Sequence, residues 1–306
     1  MARRVMFSAT GGPEILEIVV ASISEPGPGE VRVRVFAAGI NPVDSKIFTG
    51  GPAAAAYGLV LPSGNGSDFA GTVDALGEGV TALDVGDQVY GGLRFSGQAD
   101  FVVIAADEVG VIPEGLTMEQ AGGLDIVGRT ALASVHSVDV HAGDVVFISA
   151  AAGGVGVLAS QLAVRAGATV VGTASEFNHD FLRSLGVTPV AYGDRLVDRL
   201  RDAAPGPFTA ALDNHGRASI DAALALGIAP ERINTIADRS AVPEYGISAV
   251  GGAAASNVQR QELAELIAAG EIVLPIDSTF PLEQVRQAYE HAMAGHLRGK
   301  VILTLE

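Results

Sequence analysis

A short apolar run, a small-residue loop and a helix follow one another in mid-chain, and this segment restricts the fold most. The run Asp144–Ile148 is typical of a parallel strand buried on both faces. In the loop after it, Ala151, Gly153 and Gly156 have the spacing of a dinucleotide-binding fingerprint, with alanine in the first place. Apolar residues then recur at helical spacing. The alternative interpretation is a plain small-residue turn in an alanine-rich chain.

The chemistry of such a loop explains why its residues are small. A Cβ atom on Gly153 would keep the main chain away from a pyrophosphate, and one on Gly156 would hold the helix off the strand. The free N–H groups and the positive dipole end at the start of a helix attract phosphates. We therefore predict that the cofactor contacts the loop at Ala152, Gly153, Gly154, Val155 and Gly156.

The pattern around this segment predicts an α/β fold with two different parts. The chain has 306 residues, 48% of them apolar, which suits two domains or one large α/β unit. Up to about residue 120, short strands such as Val31–Val35 alternate with Gly and Pro, as in a compact barrel-like or sandwich-like unit. Beyond it, strands and helices alternate, as in a doubly wound parallel sheet. Its later strands are predicted at Thr169–Gly172, Ala210–Leu212, Arg232–Ile236 and Ile247–Val250.

The end of the chain is predicted to return to the first part. The apolar strand Lys300–Leu305 must pair with another strand, and we expect that strand to belong to the N-terminal sheet. This gives a discontinuous domain of residues 1–122 and 265–306, with a dinucleotide-binding domain at 123–264 inserted in it.

Charge and composition exclude several classes of function. The formal net charge of −16 repels phosphate backbones, so nucleic acid and anionic membranes are not expected partners. The absence of Cys excludes disulfides, thiolate nucleophiles, Fe–S clusters and zinc sites with sulfur ligands. The start of the chain lacks the apolar stretch of a signal peptide, and no apolar run approaches the roughly 20 residues of a spanning helix. We expect a cytoplasmic protein.

Five ordered motifs together resemble one known family. They are Ala37–Asp44, Gly66–Gly71, Val85–Gly91, the loop at 151–156 and Gly295–Val301. The chain resembles the medium-chain dehydrogenase/reductase superfamily, in its zinc-free quinone oxidoreductase (zeta-crystallin-like) branch. The resemblance implies a GroES-like β domain, an inserted Rossmann domain, and a homodimer formed by edge strands around Ile247–Val250. Alternatively, the protein's own loop covers that edge.

Departures from the zinc enzymes of this superfamily bear on the substrate. A metal-binding Cys of those enzymes corresponds to Asn41 here, and a His-Glu pair corresponds to Ser67 and Asp68. We therefore expect no metal site. Without a Lewis acid to stabilise an alkoxide, the expected substrates are acceptors that are already electron-poor, namely quinones and conjugated enones.

The resemblance also implies how the cofactor is held. NADPH is expected to contact the glycine loop and a further set of residues: Thr130, Ser175, Tyr192, Asn214, Ile236, Ala237, Arg298 and Lys300. The last two either close over the cofactor or belong to a solvated tail turn. Phe177 stands where a basic residue is usual, and Glu176 either binds the ribose, which would favour NADH, or points to solvent. We expect a weak preference for NADPH, with NADH possible.

The reaction needs a hydrogen-bond donor for the substrate oxygen that gains negative charge. Asn41 is the first candidate, unless it only caps the turn into Pro42, and Asp44 and Lys46 are expected to fix that turn. Tyr57, in a variable Gly/Ala-rich loop, is the second candidate, unless it is only packed. The six His residues form no ligand set and are expected at the surface or in caps. A different class of function, an NADPH-binding redox sensor or structural protein with little turnover, is equally compatible with the glycine loop.

Overall fold

Antiparallel strands dominate the first third of the computed structural model, which describes residues 1–305. The strands are β1 (Ala2–Phe7), β2 (Glu17–Ala21), β3 (Glu30–Ile40), β4 (Ser63–Gly64), β5 (Asp68–Leu76), β6 (Gln88–Gly92), β7 (Phe101–Ala105) and β8 (Gly110–Val111). Three short helices accompany them: α1 (Pro42–Phe48), α2 (Pro52–Ala56) and α3 (Met118–Gly122). In β3 the valines at 31, 33 and 35 are buried while Arg34 is exposed, which is the alternation expected of a strand with one face in the core.

A parallel sheet follows, with helices on both faces. Its strands are β9 (Val145–Ile148), β10 (Thr169–Thr173), β11 (Val187–Val190), β12 (Ala210–Asp213) and β13 (Ile233–Thr235), in the order β11-β10-β9-β12-β13. Its helices are α4 (Asp125–Ser137), α5 (Gly154–Arg165), α6 (His179–Ser184), α7 (Leu196–Ala203), α8 (Arg217–Ala225), α9 (Ala241–Tyr245) and α10 (Asn257–Ala268). The strand order reverses beside β9, and in such sheets a ligand crevice opens at the carboxyl ends of the strands at that point.

The chain ends with β14 (Ile276–Pro281), α11 (Val285–Ala294) and β15 (Lys300–Thr304). β15 pairs antiparallel with β3, from Val301 opposite Ile40 to Thr304 opposite Ala37. The last strand therefore lies in the sheet of the N-terminal part, and the α/β fold class is confirmed. The domain boundaries at 122/123 and 264/265 stay a prediction.

Within residues 1–305, no helix combines the length and apolarity needed to cross a bilayer.

Two details of the parallel sheet differ from the sequence prediction. The predicted strand Ile247–Val250 is wrong, because only Ser248 forms a bridge, to Asn234. The Asn234 side chain bonds both main-chain groups of Val250, at 2.7 and 3.2 Å, and so replaces the next rung of the ladder. β11 was not predicted because Pro189 interrupts its pattern, but an edge strand tolerates a residue without an N–H.

Candidate functional site

The glycine loop joins β9 to α5, which begins at Gly154 with Gly153 as its N-cap. The main-chain N–H of Ala151 donates to Thr173 O at 2.8 Å, which ties the loop to β10. A Cβ atom on Gly156 would lie 2.1 Å from Ala150 O, a backbone atom that cannot move aside cheaply. The close packing of helix on loop therefore requires glycine at position 156 for the protein's own sake.

Gly153 is different, because no contact within residues 1–305 requires glycine there. Its φ of −75° suits any residue, and a Cβ atom would meet only Ala150 O, at an ordinary 3.4 Å. No side chain caps the N–H groups at the start of α5. Open space above a glycine, next to free helical N–H groups, fits the pyrophosphate of a dinucleotide.

The carboxyl ends of β9, β12 and β13 are bonded together around one carboxylate. Ser149 Oγ and Thr235 Oγ1 donate to Asp213, at 2.9 and 2.7 Å. Asn214 follows, and its Nδ2 donates to Ser149 O at 2.8 Å. Its Oδ1 is buried and, within residues 1–305, has no partner. A buried acceptor without a donor fits a carboxamide, so this end of the crevice suits the nicotinamide.

The other predicted contacts at this end lie close by in the chain. Ile236 and Ala237 come directly after β13, and Ile236 N donates to Asp213 O at 2.9 Å. Thr130 lies on α4, where its hydroxyl donates to Ile126 O at 2.6 Å. Its oxygen can therefore only accept a further hydrogen bond.

The tail before β15 runs along the glycine loop. Gly299 N donates to Ala152 O at 2.8 Å, and Gly299 forms a parallel bridge with Gly153. The stem of Lys300 passes Gly154, where a Cβ atom would come within 3.0 Å of Lys300 Cδ. Lys300 is only 3% exposed, so its alternative interpretation as part of a solvated turn is wrong.

Lys300 ends in a buried polar cluster that also contains Asn41, Asp44, Ser67 and Asp68. Its Nζ donates to Ile40 O at 2.8 Å and to Asn41 Oδ1 at 2.5 Å. Asn41 Nδ2 donates to Asp68 Oδ2 at 3.0 Å. A flipped amide would set its oxygen against the carboxylate and its NH2 group against the ammonium, so the neighbours determine the orientation.

The turn into α1 is held by Asp44, as predicted. Its Oδ2 accepts from Asn41 N at 2.9 Å, and its Oδ1 accepts from Ser67 Oγ at 3.1 Å. Lys46 is exposed and takes no part in these bonds, so the prediction that it fixes the turn is wrong. Because the Asp44 carboxylate supplies the cap, the Asn41 side-chain amide is left to bond other partners. Asn41 itself is buried, with 1% of the residue exposed.

Burial controls the protonation of this cluster. It raises the pKa of Asp68 to about 7, and the nearby Lys300 ammonium opposes that rise. The pKa of Asp44 is also raised by burial, against the effects of its bond from Asn41 N and of Lys300 and Arg94. Burial lowers the pKa of Lys300. Asp68 is therefore the carboxyl of this cluster whose pKa lies near neutral pH.

Tyr57 lies at the end of α2 and is 39% exposed. The guanidinium of Arg94 is stacked on its ring, 4.1 Å from the ring centroid. A cation therefore adjoins the Tyr57 ring, and the role of its hydroxyl as a donor stays a prediction. Over residues 1–305 there is no group of three or more His, Cys, Asp or Glu side chains that could hold a metal, and metal independence stays a prediction.

At the other end of the crevice, Ser175 lies two residues after the end of β10. Asn178 Nδ2 donates to Ser175 Oγ at 3.3 Å, and Asn178 Oδ1 accepts from Arg298 Nε at 2.9 Å. Tyr192 lies nearby in the chain, and its hydroxyl is 2.8 Å from Nδ1 of His296, with the two rings stacked. His296 was expected only at the surface or in a cap, but it is paired with a predicted cofactor contact.

Phe177 has a role that its sequence position did not reveal. The Arg298 guanidinium lies 4.9 Å from the Phe177 ring centroid and 4.8 Å from that of Phe181. Phe177 is 78% exposed and serves as a platform for a cation from the tail. Glu176 is exposed.

Sequence reasoning missed Asp68, Arg94 and His296 as functional candidates. Their partners are distant in the chain: Asn41 lies 27 positions before Asp68, and Tyr192 lies 104 positions before His296. No local pattern carries such pairings. In the sequence, Asp68 is distinguished only by its place in the family motif Gly66–Gly71.

Two family models match the chain. Residues 27–114 match the model described as alcohol dehydrogenase GroES-like domain, and residues 185–303 match the one described as zinc-binding dehydrogenase. With the strand order above, these matches confirm the predicted combination of a GroES-like domain with a Rossmann-type parallel sheet.

Individual relatives match over the whole chain. The quinone oxidoreductase of Sus scrofa is 31% identical over 329 residues, covering 96% of this chain and 95% of the relative. The structure of the quinone oxidoreductase from Coxiella burnetii superposes with a TM-score of 0.88 at 30% identity, over 100% of this chain and 99% of that one. A mycobacterial protein complexed with NADPH superposes with a TM-score of 0.86 at 25% identity, over 100% of both chains.

Proposed function

This chain belongs to the quinone oxidoreductase branch of the medium-chain dehydrogenase/reductase superfamily, and from that membership we propose that it reduces quinones or conjugated enones with NADPH and without a metal. It is an oxidoreductase with a site for a nicotinamide cofactor. The proposal concerns the cofactor form, the acceptor class and the residues that act on them.

The observation that carries the proposal is the course of the tail at 298–300. Gly299 bonds the glycine loop, and the next residue, Lys300, bonds Asn41. One short segment thus connects the predicted pyrophosphate site with the predicted hydrogen-bond donor. A cofactor on that loop, with its nicotinamide toward Asn214, would lie along the boundary between the parallel sheet and the polar cluster.

A bound nicotinamide supplies a hydride, and the acceptor also takes up one proton from water, giving a hydroquinone or a saturated ketone. Asn41 donates its second Nδ2–H to the acceptor oxygen. Lys300 and Asp68 hold the amide in the orientation that makes this possible. A preorganised donor of this kind contributes roughly a hundredfold to a thousandfold in rate.

Two basic side chains support NADPH over NADH. Arg298 is linked to Ser175 through Asn178, and His296 is paired with Tyr192. Both side chains belong to the tail. Arg298 is linked to Ser175 and His296 to Tyr192, and these are the two residues expected to contact the 2′-phosphate. A guanidinium is the natural partner of a phosphate. These residues take the place of the basic residue that Phe177 replaces.

The test is consumption of NADPH or NADH with a panel of quinones and enones, together with cofactor affinity by fluorescence titration. We expect turnover of electron-poor acceptors with NADPH. Asn41→Ala should lower kcat by about a hundredfold or more, with unchanged cofactor affinity. Asn41→Ser, which keeps a small donor, is the matched control and should lose less. Binding without turnover of any acceptor would contradict the proposal and favour a redox sensor or structural protein.

We extend the proposal to a cytoplasmic homodimer that pairs through the edge of the parallel sheet. The segment 247–250 already covers β13, since Thr235 N donates to Ser248 O and Ser248 N donates to Ile233 O, both at 2.9 Å. A partner would therefore have to pair with the outer side of that segment. Light scattering tests this, and a concentration-independent monomer would contradict it.

A further inference from the structure

Arg94, in the loop after β6, has a guanidinium nitrogen without a partner. Its Nη1 is buried, and within residues 1–305 no hydrogen bond or ion pair satisfies it. A buried cationic donor without an acceptor costs on the order of 1–3 kcal/mol or more. A protein tolerates that cost where a ligand supplies the acceptor.

The surroundings of Arg94 connect it to the candidate site. The preceding residue, Leu93, donates its N–H to Ser67 O at 2.9 Å, and Ser67 bonds Asp44. The positive charge of Arg94 is among the effects that oppose the raised pKa of Asp44. The ring of Tyr57 also lies against Arg94, with its centroid 4.1 Å from the guanidinium carbon. Arg94 thus adjoins both the polar cluster and the exposed loop around α2.

In the part of the chain that the structure describes, two other arginines have buried nitrogens without a partner, but their settings differ. Arg260 is paired through Nη1 with Asp125 and Glu108 O, so its charge is already balanced. Arg199 lies on α7, away from the cluster in the chain and in the fold. Of these three arginines, and within residues 1–305, Arg94 alone combines an unpartnered nitrogen, the ring of Tyr57 and an electrostatic effect on Asp44 of the polar cluster.

We propose that Arg94 binds the acceptor oxygen on which negative charge develops, and that the Tyr57 ring holds the guanidinium in place. When hydride adds to the acceptor, the π electron pair of the carbonyl system moves onto its oxygen. Arg94 neutralises that oxyanion until water protonates it. The inference rests on the proposed function. It limits the acceptors to those that hydride addition turns into an oxyanion: a quinone gives a hydroquinone monoanion, and an enone gives an enolate.

The first test is a spectroscopic probe of the oxyanion site that needs no turnover. 4-Nitrophenol absorbs differently as phenol and as phenolate, so titration of the bound probe reports its pKa. Wild-type protein should lower that pKa by about one unit or more, because an adjacent fixed cation favours the anion. Arg94→Met should abolish the shift, and Arg94→Lys should keep part of it.

The matched control is Arg34→Met. Arg34 is exposed and also stacks on a ring, with its guanidinium 5.3 Å from the Phe36 centroid. Its replacement should leave the probe's pKa shift intact. Tyr57→Phe should preserve the shift because the ring remains, and Tyr57→Leu should reduce it.

The second test is kinetic. Arg94→Met should lower kcat for quinone reduction by about a hundredfold or more, with the NADPH dissociation constant within twofold of wild type. Arg94→Lys should restore part of the rate, and unfolding curves for both variants identify any loss of fold. If Arg94→Met is unstable, the Lys and Tyr57 variants decide the question.

The outcomes separate this inference from the proposed function. A pKa shift that disappears in Arg94→Met, in a protein that reduces no acceptor, would support the anion site and contradict the reductase. Normal turnover in Arg94→Met, an unshifted probe, or no binding of the phenolate to wild type would overturn the role of Arg94.

Discussion

The glycine loop and the polar cluster face the same tail segment but are built in opposite ways. The loop consists of consecutive residues, and its positive potential comes from main-chain N–H groups that do not titrate. The cluster joins side chains up to 259 positions apart, and its charges belong to buried groups with displaced pKa values. Pyrophosphate binding at the loop should therefore depend little on pH and strongly on added Cβ atoms, whereas the cluster should depend strongly on pH.

The sharpest contrast lies within the loop itself. Gly156→Val places carbon about where Ala150 O lies, at 2.1 Å from the ideal Cβ, and should cost about 3 kcal/mol or more in unfolding free energy. Gly153→Val meets no such obstacle and should keep the fold but abolish cofactor binding. Urea unfolding and fluorescence titration of both variants measure this difference. Unchanged affinity in Gly153→Val would mean that the loop is not the cofactor site.

The next prediction concerns the pH dependence of the cluster. The pKa of Asp68 rises from 3.8 to about 7 on folding, so between these values the folded protein binds more protons than the unfolded chain. This group should therefore make the unfolding free energy fall as pH rises from about 4 to about 7, with no further change above. In Asp68→Asn that decline should disappear, as measured by urea unfolding across the range. Gly153→Val is the control and should keep the wild-type slope of unfolding free energy against pH. Equal slopes in wild type, Asp68→Asn and Gly153→Val would contradict the raised pKa of Asp68.

A smaller effect is expected at the adenosine end, where the tail again meets the parallel sheet. Wild type should prefer NADPH over NADH in kcat/KM by roughly tenfold to a hundredfold. Glu176→Arg should raise this ratio because it replaces a repulsive charge beside the phosphate with an attractive one. Arg298→Met should lower it.

The same measurements can reverse the assignment of Glu176. If wild type prefers NADH, and Glu176→Arg only weakens NADH binding, then Glu176 is the ribose carboxylate. Arg298 and His296 would then have no part in cofactor choice.

Removal of metal ions is expected to change neither the activity nor the stability of the protein. The family resemblance implies that Asn41 and Ser67 stand where zinc enzymes of the superfamily have metal ligands. In the structure, Lys300 brings a positive charge to Asn41. Dialysis against a strong chelator should leave activity and unfolding temperature unchanged. Stoichiometric zinc in the purified protein, measured by elemental analysis, would contradict this prediction.

Some features of the site followed from local sequence. The strand before Gly153 was predicted at Asp144–Ile148 and lies at Val145–Ile148, and a helix was predicted after the loop and begins at Gly154. Local backbone sterics determine such a segment. The segment at 247–250 was not predictable in this way. Its pattern is that of a strand, but the side chain of Asn234 competes for its main-chain groups.

The sequence by itself determined the fold class, the cofactor loop and the absence of sulfur chemistry, because each depends on consecutive residues or on composition alone. Only the tertiary structure decided that Lys300 points inward to Asn41, that Phe177 is a platform for Arg298, and that Arg94 keeps a free nitrogen beside Tyr57. The physical reason is that a side chain's charge and hydrogen bonds depend on its neighbours in space. For these residues the neighbours come from strands and tails that the chain brings together only on folding.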